Sequence, residues 1–299
     1  MDQEFIRLMQ ILLGNHGNTA AGYGTAINVH VANLNGCLNQ NFIGDHPCPP
    51  NPSSPVIAPV VFSSSGEEPV FAVFGLNPLF DVKNNSVCKE KSLAGNNLSD
   101  YAAFYNSKSY NTDGVFPFVF NPLGSYYRNI FKILYSLCKG GFEKWDSLFP
   151  RKNRNQIVAS TYLKLIEDYP IIVAELIPFH SKSTAVNIHA LYRCNVTYRT
   201  YHEELFRMLD IRLAKNGILF SHGQAASNAL RQVLGASLTI IKSTPAYDIA
   251  KWNGRYAIIL NQFMNIAGGL INGDDDITAL IDDAISIGIT LPCICNSNL

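Results

Sequence analysis

Charge is scarce in this chain, and the short signatures of the commonest nucleotide and acyl-transfer enzymes are missing. Charged residues make up 15% of the 299 residues, which is low, while 47% are hydrophobic, ample for a core. No apolar run approaches the ~20 residues of a membrane span. The first residues lack a basic segment followed by an apolar one, so no leader peptide is expected. There is no Walker loop and no Gly-x-Gly-x-x-Gly, which argues against a nucleotide hydrolase or a dinucleotide enzyme. A Gly-x-Ser-x-Gly elbow is also absent. His180-Ser181 and Ser221-His222 are neighbours in sequence. Adjacent strand residues point to opposite faces, so neither pair joins a nucleophile to its base. The seven cysteines (37, 48, 88, 138, 194, 293 and 295) are odd in number, and Cys293 and Cys295 have no partner pair at zinc spacing. They read as reduced thiols of a cytoplasmic protein, with no metal and no cofactor expected.

The formal net charge is zero, but it is unevenly spread. Residues 101–260 hold 19 of the 23 Lys+Arg and 10 of the 23 Asp+Glu, a surplus of nine positive charges. The remainder is acidic by the same amount. A basic centre suits a phosphate backbone. Alternatively, folding interleaves the two signs and no such track exists. Arg151, Lys152 and Arg154 form a small basic cluster, either a solvated surface or a set of phosphate contacts.

What the chain does have is a set of apolar runs that end abruptly in polar residues. Val70-Phe71-Ala72-Val73-Phe74 is followed by Gly75-Leu76-Asn77-Pro78. An unbroken apolar run of this kind suits a strand covered on both faces, as in a parallel sheet. In open α/β sheets, ligands bind outside the carboxyl ends of the strands, where Asn77 would stand. Ile171–Ala174 repeats the pattern and ends at Glu175, with His180 just beyond Pro178. Gly217–His222 leads through Gly223 to a helix at 226–234. Arg255–Leu260 leads to Asn261-Gln262-Phe263-Met264. Helical periodicity marks Glu4–Leu13, Tyr162–Tyr169 and Tyr198–Leu213, with an acidic helix from Asp274. Residues 17–24 read as loop, 45–55 are proline-rich, and 81–114 form a long polar insertion.

Gly-Leu-Asn-Pro after an apolar strand resembles the first motif of the uracil-DNA glycosylase superfamily. The small-residue turn at Gly223–Ala226 is similar to that family's third strand end. The resemblance spans about residues 70–265 as four ordered strand ends. It implies a single three-layer α/β/α domain with a central, mainly parallel four-stranded sheet. The core would be about 56–272, with an N-terminal extension (1–55) and a C-terminal helical segment (274–299). It also implies a monofunctional DNA glycosylase that flips a base into a pocket and hydrolyses its N-glycosidic bond. Asn77 would position the water or stabilise the sugar cation, with His180 and Asn261 as further catalytic candidates. Gly75, Leu76 and Pro78 would form the pocket, and Phe116 or Phe118 would stack on the base. Gln262 and a wedge from Phe263 or Met264 would meet the DNA. No membrane partner is expected, and a monomer is.

Two departures from the family pattern matter. An Asn that reads uracil is replaced by Glu175, and an ionised carboxylate accepts hydrogen bonds but donates none. Glu pairs with the N4 amino group of cytosine. This points to a cytosine-type base, with a structural carboxylate as the alternative. Relatives with such departures include phage-defence glycosylases acting on glucosylated 5-hydroxymethylcytosine. The family's His-Pro-Ser loop is also missing after Leu260, which leaves open a non-catalytic DNA- or protein-binding module. An unrelated flavodoxin-like protein with a small-molecule ligand is the third reading.

Overall fold

The buried runs expected from the sequence are the strands of one sheet. The computed structural model describes residues 2–16, 19–44, 61–64, 68–76, 97–106, 133–137, 139–141, 171–181, 186–261 and 274–291. Seven strands appear among the described residues, in chain order: β1 (Phe62–Ser64), β2 (Phe71–Gly75), β3 (Ile171–Glu175), β4 (Ile218–His222), β5 (Leu238–Ser243), β6 (Tyr247–Trp252) and β7 (Arg255–Leu260). Their spatial order is β1-β3-β2-β4-β7-β6-β5.

The sheet is mixed, which corrects the expectation of four mainly parallel strands. The four strands named by their end motifs, β3, β2, β4 and β7, are parallel neighbours at its centre. Three antiparallel strands extend it: β1 beside β3, and β6 then β5 beside β7. β5, β6 and β7 follow one another as an antiparallel meander. β6 and β7 join through a two-residue turn in which Asn253 (φ 46°) and Gly254 (φ 79°) both take positive φ. That is the turn geometry whose twist suits a tight hairpin.

The described helices are α1 (Asp2–Leu13), α2 (Ala20–Leu38), α3 (Leu98–Asn106), α4 (Ile188–Cys194), α5 (Thr197–Arg212), α6 (Gln224–Leu234) and α7 (Asp274–Ser286). Periodicity at Glu4–Leu13 gives α1 a buried stripe of Phe5, Leu8, Met9, Leu12 and Leu13. Helix α2 was unexpected. It begins inside the stretch that reads as loop, where the Thr19 side chain accepts from the Gly22 amide as an N-cap. Tyr23 and Ile27 of α2 belong to the same core as Phe74, Phe179 and Leu205. The N-terminal segment is therefore built into the core.

The thiol reading also changes. Cys37 at the end of α2 and Cys194 at the end of α4 form a disulfide with Cα atoms 5.8 Å apart and a sequence separation of 157. Spacing cannot reveal a pair that only helix packing brings together. Charge interleaving is visible as well. Glu4 of the acidic N-terminal segment pairs with Arg212, and Asp283 of the acidic C-terminal helix pairs with Lys242. Both partners come from the basic centre, so part of its surplus is neutralised within the fold.

None of the described helices is long and apolar enough to cross a membrane.

Candidate functional site

Because β3, β2, β4 and β7 are parallel, their carboxyl ends share one edge. Register pairs Gly75 with Glu175, Phe74 with Ser221, and His222 with Leu260. Segments from residues 70, 171, 217 and 255 onward thus deliver their ends side by side. Of the candidate site residues, the described ones are Gly75, Leu76, Glu175, His180 and Asn261. Asn77, Pro78, Phe116, Phe118, Arg151, Lys152, Arg154, Gln262, Phe263 and Met264 lie outside the described residues.

Gly75 and Glu175 are the closest-knit pair. A Cβ added at Gly75 would lie 2.6 Å from both Cδ and Oε1 of Glu175. Real Cβ atoms do not approach that closely, so the carboxyl group lies over the Gly75 backbone because position 75 has no side chain. The Oε2 atom is buried and has no hydrogen-bond partner among the described residues. Burial without a partner disfavours the anion and pushes the Glu175 pKa up to about 8. At neutral pH the side chain is mostly the neutral acid.

The backbone beneath this carboxyl group is firmly held. Pairing runs past the strand ends through Leu176 N to Gly75 O (3.1 Å) and Ile177 N to Leu76 O (2.7 Å). Helix α5 adds side-chain bonds. Tyr201 donates its hydroxyl to the Glu175 carbonyl oxygen at 2.9 Å, and His202 donates Nε2–H to the Leu176 carbonyl at 2.8 Å. The Tyr192 hydroxyl completes the chain by donating to His202 Nδ1 at 2.8 Å. Burial lowers the His202 pKa to about 4, keeping the imidazole neutral in this tautomer. Sequence reading missed Tyr192, Tyr201 and His202. Tyr198, Tyr201 and His202 stand on the apolar face of α5 as polar-tipped aromatics, a signal that buried hydrogen bonding occurs there.

His180 lies further along the same segment and is buried. Its carbonyl accepts from the Ile43 amide at 2.8 Å, and Phe42 bridges Ser181. The chain after α2 thereby covers the segment after β3. Leu76, next to Gly75, is also buried.

The other end of the edge is built differently. Asn261 Nδ2 donates to the carbonyls of Thr244 (3.3 Å) and Pro245 (3.0 Å), and its Oδ1 accepts from Arg231. Arg231 also donates twice to Asp248, at 2.9 and 2.5 Å, and Ser243 donates to Asp248 at 2.6 Å. Nearby, Ser227 donates to the Leu260 carbonyl at 2.6 Å and meets Ser221 at 3.1 Å. The Asn261 amide is thus engaged at both ends in holding the turn between β5 and β6 against β7. Gly223 takes φ 93° where β4 turns into α6, a conformation that favours glycine.

Among the described residues no three His, Cys, Asp or Glu side chains converge as metal ligands. The chain matches no family model, no curated protein and no solved structure.

Proposed function

We propose that this protein is a monofunctional DNA glycosylase that removes a modified, cytosine-type pyrimidine. On this reading the fold is a three-layer α/β/α glycosylase-like domain whose crevice opens at the carboxyl edge of β2 and β3. The observation that supports it most is a carboxyl group at that edge with one buried oxygen lacking a partner among the described residues, seated on the glycine of the Gly-Leu-Asn-Pro segment. Buried polar groups in native proteins are nearly always satisfied, and an exception at a strand end suits a ligand group that completes it.

In this mechanism the target nucleotide leaves the base stack and enters the crevice. Phe116 or Phe118 stacks on the base. Glu175 meets the edge that carries the exocyclic amino group. Asn77 orients a water toward C1′ of the deoxyribose. The bond from C1′ to the base nitrogen breaks with its electron pair leaving on the base, which takes up a proton. Water adds to C1′ and loses a proton, leaving an abasic site. No lysine stands in a context that reads as a Schiff-base nucleophile, so the strand is left intact.

The test is alkali-labile abasic-site formation on duplexes carrying cytosine, 5-hydroxymethylcytosine, its glucosylated form or uracil. Excision of a cytosine-type base, lost in Asn77→Ala, is the expected result. Asn261 favours the second reading, a DNA-binding module without catalysis, because its amide is committed to structure. That reading predicts salt-dependent DNA binding, unchanged in Asn77→Ala, and no abasic product.

A further inference from the structure

An ionised carboxylate reads cytosine through one hydrogen bond only. It accepts from N4–H, but its second oxygen then faces the lone pair on N3. The environment of Glu175 is equally unsuited to an ion. Its Oε2 is buried without a hydrogen-bond partner among the described residues, and burial is the cause of its raised pKa. The nearest titratable group on α5 is Tyr201, whose hydroxyl is spent on the Glu175 carbonyl oxygen and whose pKa burial holds well above its ordinary value. His202 on that helix is neutral and bonded to Leu176. Among the described residues of the segment after β3, residues 176–181, His180 is the one titratable side chain. The paired strands contribute no charge: β1 is Phe62–Ser64, and β2 offers only Gly75 at this level.

We propose that Glu175 binds the extruded base as a carboxylic acid, donating O–H to the ring nitrogen N3 while its other oxygen accepts from the N4 amino group. Two parallel hydrogen bonds then form in one plane, and the buried oxygen gains its missing partner. Protonation of an acid by its apolar surroundings, so that it can donate at neutral pH, is an established device in active sites. The inference rests on the glycosylase reading. It adds to that reading the protonation state of the reader and the edge it recognises, an acceptor nitrogen beside an amino group. A substituent on C5 leaves both of those atoms free.

The experiment is single-turnover excision from a 5-hydroxymethylcytosine duplex between about pH 6.5 and about pH 10. Wild type, Glu175→Gln and Glu175→Ala are compared, each checked for folding by thermal unfolding. Glutamine presents a permanent donor and acceptor in place of the neutral acid. Wild-type rates are expected to fall about tenfold per pH unit above pH ~8. Glu175→Gln should be about threefold to tenfold slower than wild type at pH ~7, clearly faster than Glu175→Ala, and free of that break. A wild-type profile flat to pH ~10, with Glu175→Gln as inactive as Glu175→Ala, overturns this proposal and leaves the glycosylase reading intact. No abasic product from any of the four duplexes at any pH overturns both. A second measurement needs no variant: with carbon-13-labelled glutamate, one side-chain carboxyl of the free protein should titrate near pH ~8. Titration of every glutamate below pH ~6 overturns the proposal.

Discussion

The two halves of the sheet's carboxyl edge satisfy their polar groups in opposite ways. At the β4 and β7 end, Ser221, Ser227, Asn261, Arg231 and Asp248 bond to one another or to backbone carbonyls. At the β2 and β3 end, the backbone is just as well tied by Tyr201 and His202, yet the Glu175 carboxyl retains a buried oxygen without a partner. A fold can hold a strand end rigid while leaving the group it presents unsatisfied, and that combination distinguishes a binding position from a structural one. The same contrast separates Asn261 from Glu175. Both are polar residues at the end of an apolar strand, and only one has its hydrogen bonds already made.

The largest effect should come from the clip between α2 and α4. Reduction of Cys37–Cys194 frees a loop of 157 residues and is expected to cost about 2–5 kcal/mol, read as a lower Tm in reductant. Asp248→Ala breaks the closed network at the β4 and β7 end. It removes the carboxylate that pairs with Arg231 and accepts from Ser243, and should cost about 3 kcal/mol in urea unfolding. His202→Ala removes a buried and a part-buried hydrogen bond beneath Glu175 and should cost about 2 kcal/mol. On the glycosylase reading it should also slow excision, whereas any loss of activity in Asp248→Ala should track its loss of stability. Gly75→Ala sharpens the comparison most finely. Its Cβ forces the Glu175 carboxyl aside, with about 1 kcal/mol lost in unfolding and, on the glycosylase reading, excision reduced by roughly a hundredfold.

The sequence was most legible where one periodicity ruled. Val70–Phe74, Ile171–Ala174 and Arg255–Leu260 are strands within a residue of where their apolar runs place them. Tyr198–Leu213 is the helix its pattern announces. The parts that escaped have physical reasons. Helix α2 carries Gly22, Gly24 and Gly36 and only a weak amphipathic pattern, so packing rather than propensity holds it. Strand β5 is largely exposed and lacks an apolar run, while the turn to β7 did carry a readable signal in Asn253-Gly254. At the site, the sequence reads Glu175 as an ion. Its protonation depends on what surrounds it in space, which no local pattern contains. Only the ionised form of Glu175 disfavours uracil, because the neutral acid presents a donor as well as an acceptor.

Linkage gives the stability consequence a definite sign. The folded-state pKa of about 8 lies above the ordinary carboxylate value of 4.5, so the native state binds more protons between them. Stability contributed by the neutral acid is therefore lost as pH rises from about 4.5 through about 8, and it levels off above that. The most direct test of the central claim, that Glu175 is kept for a ligand and not for the fold, is the unfolding free energy of Glu175→Met beside wild type at about pH 9. The account predicts that Glu175→Met is more stable by about 1–3 kcal/mol, because an apolar side chain of similar size replaces a buried, unpaired charge. A variant less stable than wild type by a similar amount would show that Glu175 is a paired structural carboxylate and would contradict the account.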